Sequence, residues 1–249
     1  MTRNYADEFE KRVAWIRSLV ASAHARGIVF GNSGGKDSAL VGILCKAACD
    51  NTLGVLLPCG SKRNYGLDAD DGRTLAAQYG IETRLVDLTG VRDALCAELG
   101  RVTALNDQAL TNLAPRLRMS TLYAIAAAEG RLVAGTGNRS EIHMGYFTKW
   151  GDGGSDFNPI ADLTASEVFA FLEYLGAPRA IIDKAPSAGL YDGQTDEADM
   201  GVSYAAIDRY LETGEAEPDA RAVIERSHRQ SEHKRRGVAV YRPEENEHA

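Results

Sequence analysis

The stretch that most constrains this chain is Arg26–Ala48, RGIVFGNSGGKDSALVGILCKAA. Ile28–Phe30 is an apolar run that reads as a short buried strand, and Asp37–Cys49 mixes apolar and small residues as a helix does. Between them, Gly31–Ser38 supplies glycines, serines, a lysine and an aspartate. A strand, a glycine-bearing turn and a helix N-terminus in that order let something approach the main chain closely. The first N–H groups of a helix have no partner within it and attract anions, and glycine lets phosphate oxygens come near. Gly31, Asn32, Ser33, Gly34, Gly35, Lys36, Asp37 and Ser38 are therefore the candidate phosphate loop. Asp37 is repelled by a phosphate unless a divalent cation lies between them, which makes it the candidate Mg²⁺ ligand. A plain helix N-cap would explain the serine and the aspartate, but not the glycines and the charged pair beside them.

Two better-known phosphate patterns fail here. A Walker A loop ending at Gly35-Lys36 needs glycine where Phe30 stands and Ser or Thr where Asp37 stands. The dinucleotide fingerprint G-x-G-x-x-G fails at Ser33. The Gly-x-Gly of GTGN, at 135–138, is too short a signal to carry a dinucleotide reading alone.

Beyond the loop, strands and helices alternate. Helices are expected over Asp7–His24, 68–80, Thr89–Leu99, 114–130 with Pro115 in the first turn, Thr164–Leu175 and Asp219–Arg236. Further strands are expected over Leu53–Pro58, Ile81–Leu88 and Arg131–Gly137. Apolar strands alternating with helices predict an α/β fold, a parallel sheet with helices on both faces. With no repeat or long linker, residues 1–249 read as one domain. Ligands in such sheets bind beyond the carboxyl ends of the strands, so FGNSGG and AGTGN are expected at the same rim.

Composition narrows the function classes. The net charge of −7 argues against a nucleic-acid partner. No apolar run approaches the ~18–20 residues that span a bilayer, and MTRNYADEFEKR lacks an apolar h-region. No membrane association and a cytoplasmic location are the expectations. Cys45, Cys49, Cys59 and Cys96 have no zinc or disulfide spacing and read as small buried hydrophobes. The segment RAVIERSHRQSEHKRR, by contrast, concentrates positive charge near the end of an acidic chain.

SGGKDS resembles the pyrophosphatase loop of the N-type ATP pyrophosphatases, which cleave ATP between its α- and β-phosphates. Longer stretches are more specific. PRLRMSTLYAIAAAEGRLVAGTGNRSEIHMGYFTKWGDGGSDFNPIADL, PSAGLYDGQTDEADMGVSYAAIDRYL and SEHKR are together similar to the ammonia-dependent NAD synthetases, from the loop to about Arg236. The resemblance implies a Rossmann-like adenine-nucleotide-hydrolase fold and a homodimer. It also implies a ligase that adenylates deamido-NAD⁺ with ATP and Mg²⁺, then amidates the adenylate with ammonia to give NAD⁺, AMP and pyrophosphate.

Carried over by residue, the resemblance puts ATP phosphates on Gly31–Ser38, adenosine on Thr136, and Lys184 and Ser187 on the triphosphate. Metal falls to Asp37 and Glu141. The deamido-NAD⁺ positions are Arg116, Lys149, Asp156, His233 and Lys234, with Asp37 and Asp156 catalytic and Asp156 the candidate base for ammonium. The chemistry agrees independently, since a polyanionic substrate on an acidic protein needs local cations. The chain departs from the family in Ala165, where a lysine is usual, in LLPCGSKRNYGLDADDG and in its tail, RRGVAVYRP. Two other readings stay open at this point: an ATP pyrophosphatase acting on another acceptor, such as tRNA, and a nucleotide-binding regulator without turnover. No cysteine stands in a glutaminase-like context, so free ammonia is the expected nitrogen donor.

Overall fold

The computed structural model describes residues 3–60, 67–184 and 195–241. Four parallel strands, β1 (Gly27–Gly31), β2 (Thr52–Leu56), β3 (Glu82–Leu85) and β4 (Arg131–Ala134), form one sheet in the order β3-β2-β1-β4. β1 pairs with both β2 and β4, so that Val29 stands beside Leu53 and Val133. Its side chains alternate between the two faces. Ile28 and Phe30 enter a core built with α1 (Tyr5–Ser22), α2 (Lys36–Ala48), α3 (Leu67–Tyr79), α7 (Ala165–Leu175) and α8 (Arg179–Ile182). Val29 enters the opposite core with Leu53, Val55 and Val133, against α5 (Asp107–Glu129) and Leu88, which precedes α4 (Thr89–Leu99). Phe30 is fully buried, and a Cβ at Gly42 would lie 2.7 Å from its ring. Truncating such a side chain to alanine costs about 3–5 kcal/mol.

A third, smaller cluster joins α6 (Arg139–Met144), α10 (Tyr204–Thr213) and α11 (Pro218–Gln230). The short α9 (Asp196–Met200) and α12 (Glu232–Arg235) complete the described elements. Among the described residues no helix is long and apolar enough to cross a membrane.

The structure departs from the sequence reading in four places. β3 is an edge strand with Glu82 and Arg84 in solvent, not a buried one, and it is shorter than expected. β4 ends at Ala134, beyond which Gly135 turns to hydrogen-bond Phe157 (2.8 Å). α5 starts at Asp107, where the Asn106 side chain accepts from Ala109 N, so Pro115 is interior to the helix. It is accommodated in a tight contact with the 151 turn, where a Cβ on Gly151 would meet Pro115 Cβ at 2.9 Å. The C-terminal helix breaks at Ser231, whose buried side chain fills the space that glycine leaves at 145; a Cβ there would stand 2.0 Å from Ser231 Cβ.

Candidate active site

The carboxyl ends of the strands open onto a cavity of about 780 Å³, within the usual range for ligand sites. Gly31, Ser33, Gly35, Lys36, Asp37 and Ser38 line it. The loop holds its shape through its own polar atoms. Ser33 Oγ accepts from Gly35 N (3.2 Å) and lies 3.0 Å from Ser38 Oγ, which donates to Gly35 O at 3.0 Å. Gly34 has φ +70°, and a Cβ there would stand 2.2 Å from Asp68 O. Only glycine allows both the backbone turn and the close approach of α3. Asn32 is 2% exposed and faces inward as well, donating to Gly72 O at 2.9 Å. Gly35, the N-cap of α2, supplies no side-chain hydrogen bond to the helix N-terminus, whose first N–H groups are the kind that attract anions.

Asp37 stands in the first turn of α2 and Glu141 in the first turn of α6. β1 and β4 are neighbours in the sheet, which brings these turns together: Asn138 Nδ2 donates to Asp37 Oδ1 at 3.0 Å and Glu141 N to Asn138 Oδ1 at 2.9 Å. The expectation that both glycine turns share one rim is met. Burial pushes the Asp37 carboxyl up to about 6, against the Asn138 hydrogen bond. Burial and then the charge of Asp37 hold Glu141 well above the ordinary range. Asp196 lies close enough to raise both, and it accepts from the Tyr146 and Tyr204 hydroxyls at 3.2 Å each.

Two cavity lysines are engaged with protein. Lys184 Nζ contacts Asp68 Oδ1 (2.7 Å) and Asp71 Oδ2 (2.6 Å). Lys36 Nζ donates to the Lys184 carbonyl and lies 5.9 Å from the Phe169 ring centre; burial lowers its pKa. Ala165 and Thr136 also line the cavity. Ser187 lies outside the described residues.

The acceptor positions divide. Lys234 lines the cavity and donates to Gly145 O (2.8 Å) and Phe147 O (2.7 Å). Arg116 is exposed and donates to Lys149 O (3.3 Å), and Lys149 Nζ donates to His233 O (2.6 Å), so these three form a linked strip. None of the three lines the cavity. Asp156 is exposed elsewhere, beside β4. Its carboxylate accepts from Val133 N at 2.7 Å and Tyr123 OH at 3.1 Å, and it borders a second, smaller hollow.

Sequence reasoning missed Arg118, which lines the cavity and donates from Nε to Leu57 O at 3.0 Å. Pro115, Arg118, Met119 and Leu122 all line it, at the three-and-four spacing of a single helix face, a phase that Arg116 does not share. Asn138 was missed too, although N-x-x-E before an apolar residue is a legible capping box. Trp150 is 62% exposed at φ +63°, with the Lys149 ammonium 5.4 Å from its ring centre.

A glycine-rich loop after β1, leading into α2 beside two close carboxylates at the rim of a parallel sheet, defines an α/β nucleotide-binding protein. The chain belongs to the NAD synthase family, whose model matches residues 8–248. It is 46% identical to the NH(3)-dependent NAD(+) synthetase of Carboxydothermus hydrogenoformans, over 95% of this chain and 97% of that protein. Its structure resembles the NMN synthetase of Francisella tularensis (TM-score 0.91, 36% identity, 97% of this chain and 100% of that one). It also resembles the NH3-dependent NAD synthetase of Campylobacter jejuni (TM-score 0.81, 30% identity, 96% and 100%).

Proposed function

We propose that this chain is an ATP-dependent ligase that converts deamido-NAD⁺ to NAD⁺ with free ammonia, working as one domain in the cytoplasm and as a homodimer. The observation that carries this reading is the convergence of the uncapped α2 N-terminus with Asp37 and Glu141 at the mouth of the cavity. The carboxylate pair fits Mg²⁺. The groups that act on Glu141 besides its own backbone contact are all acidic, so a cation would relieve their mutual repulsion. No cluster of three or more metal-ligating side chains exists among the described residues. That suits Mg²⁺, which is commonly held by one or two carboxylates with substrate phosphates and water. When bound, Mg²⁺ would neutralise the charge that grows on the phosphates.

The chain's own part is to bind and orient. Loop amides at the α2 N-terminus take the phosphates, and Ser33 and Ser38 offer hydroxyls. The nicotinate carboxylate oxygen attacks the α-phosphorus, the bond to the β-phosphate oxygen breaks, and pyrophosphate leaves. Ammonia then attacks the acyl carbon, AMP departs, and nitrogen loses a proton. Holding both substrates in line contributes on the order of 7–11 kcal/mol. Asp156, the acceptor of that proton on the family resemblance, stands outside the cavity with its carboxylate bonded to Val133 N and Tyr123 OH, so this role requires a second copy of the chain to carry the acceptor to it. An Asp156→Asn variant whose ammonia kinetics match wild type at every pH would remove it from this role. The Arg116–Lys149–His233 strip stands outside the cavity, which favours an acceptor site completed by a second copy of the chain.

A second reading has a specific observation behind it: the TM-score of 0.91 is to a protein named NMN synthetase. On that reading the acceptor is the mononucleotide. Incubating the protein with ATP, Mg²⁺ and ammonium, with each acceptor separately and then in competition, decides between them by mass spectrometry. NAD⁺ with matching AMP and pyrophosphate supports the first reading, and preferential NMN the second. Absence of ATP turnover with either overturns both.

A further inference from the structure

We propose that Asn138 is a positioning residue that sets the spacing of Asp37 and Glu141 and thereby the affinity of the metal site; this rests on the metal role given to those two carboxylates above. Asn138 is 2% exposed, and every polar group it directs at the pair is used. Its Nδ2 donates to Asp37 Oδ1 (3.0 Å), its Oδ1 accepts from Glu141 N (2.9 Å), and its backbone N donates to Glu141 Oε2 (2.9 Å). The orientation of the amide follows from its partners. A backbone N–H can only donate, so the oxygen must face Glu141 N and the amide nitrogen is left to face Asp37.

Asp37 and Asn138 are 101 positions apart in sequence and lie after adjacent strands. The side-chain amide therefore ties the two loops together and pins one oxygen of Asp37, while the backbone N–H of the same residue pins one oxygen of Glu141. The reciprocal cap on α6 is part of the same device, because Glu141 is both the N3 residue of the capping box and a proposed ligand. Without the tie, two repelling carboxylates would have to be brought together by the cation alone, at a cost to its affinity. A side chain that supplies an acceptor without a donor keeps the cap and loses the tie.

Asn138→Ser retains a capping hydroxyl but is too short to reach Asp37. Asn138→Asp keeps shape and cap, removes the donor and adds a third negative charge. Loss of a group that orients metal ligands typically costs 10–100-fold in metal affinity. The test is Mn²⁺ titration, read by electron paramagnetic resonance, of the full chain with a non-hydrolysable ATP analogue, alongside melting curves and the Mg²⁺ dependence of turnover. Asn138→Ser should bind Mn²⁺ at least about tenfold more weakly, bind the analogue without metal as wild type does, and recover part of its rate at high Mg²⁺.

Unchanged Mn²⁺ affinity and Mg²⁺ dependence in a folded Asn138→Ser variant would overturn the proposal. Failure of wild type itself to bind Mn²⁺ with the analogue would instead defeat the metal role of Asp37 and Glu141. If Asn138→Ser does not fold, Asn138→Asp decides on the same measurement. If neither folds, Asn138 serves folding first and the proposal falls.

Discussion

Helix α6 carries two titratable side chains two positions apart, and their surroundings are opposite. Glu141 faces the cavity among Asp37 and Asp196, where burial and like charge hold protons on the carboxyls. His143 faces the C-terminal helices, stacked on His228 at 4.1 Å between ring centres, and its Nε2 has no hydrogen-bond partner among the described residues. Burial, then His228 and the nearby arginines, lower its pKa to about 4. A group whose deprotonated, charged form is disfavoured sits beside one whose protonated, charged form is disfavoured. The first pattern is the one on which the proposed metal role of Asp37 and Glu141 rests, and the second is one of packing.

The two faces also give opposite pH slopes. Asp37 and Glu141 keep protons in the folded chain at pH values where the unfolded chain has released them. The contribution of Asp37 to stability is therefore fully present below about pH 4 and is lost as pH rises through about 6, and Glu141 acts in the same direction. His143 does the reverse: its contribution is present above about pH 6.5 and is lost as pH falls toward 4.

The largest expected effect breaks the cavity side. Asp37→Asn should lower kcat/KM roughly 10³-fold, in line with removing a main electrostatic stabiliser. The same variant without metal at pH 8 should melt about 5 °C above wild type, because a buried charge is gone; steady-state kinetics and calorimetry read the two together. Gly145→Ala tests α6 as a support shared by both faces. The new Cβ would lie 2.0 Å from Ser231 Cβ, at φ +68°, and stability should fall by about 3 kcal/mol or more with activity lost in parallel, as denaturant melts would show. His143→Phe sharpens the packing side. It should abolish the drop in melting temperature between pH 6.5 and 4 while leaving kcat within about twofold. Arg179→Ala, at an exposed pair with Asp183 (2.6 Å), is the control, with a change within about 0.5 kcal/mol.

What was legible in the sequence is local. The β1–loop–α2 unit could be read because an apolar run, glycines and a helix start are neighbours in the chain, and GTGN announced the second turn at the rim in the same way. Glu141 was found through resemblance, and Asn138, which forms the hydrogen bonds joining it to Asp37, was passed over. Pro115 misled because proline favours a first turn, and a local rule could not foresee the turn at Gly151, far along the chain, making room for it in the helix interior. Arg118 escaped notice because motif matching ignores the helix phase that sets it on the cavity side.

By itself, then, the sequence determined the parallel α/β architecture from short-range pattern, and pointed to the phosphate loop and Asp37 by chemistry and to Glu141 by resemblance. The tertiary structure alone decided which groups face one another: the tie from Asn138 to Asp37, the engagement of Lys184 by Asp68 and Asp71, the placing of Asp156 beside Val133, and the contrast across α6. Those depend on the strand order β3-β2-β1-β4, which makes neighbours of residues a hundred positions apart. No local propensity encodes that distance, because only burial of both faces of the sheet sets it.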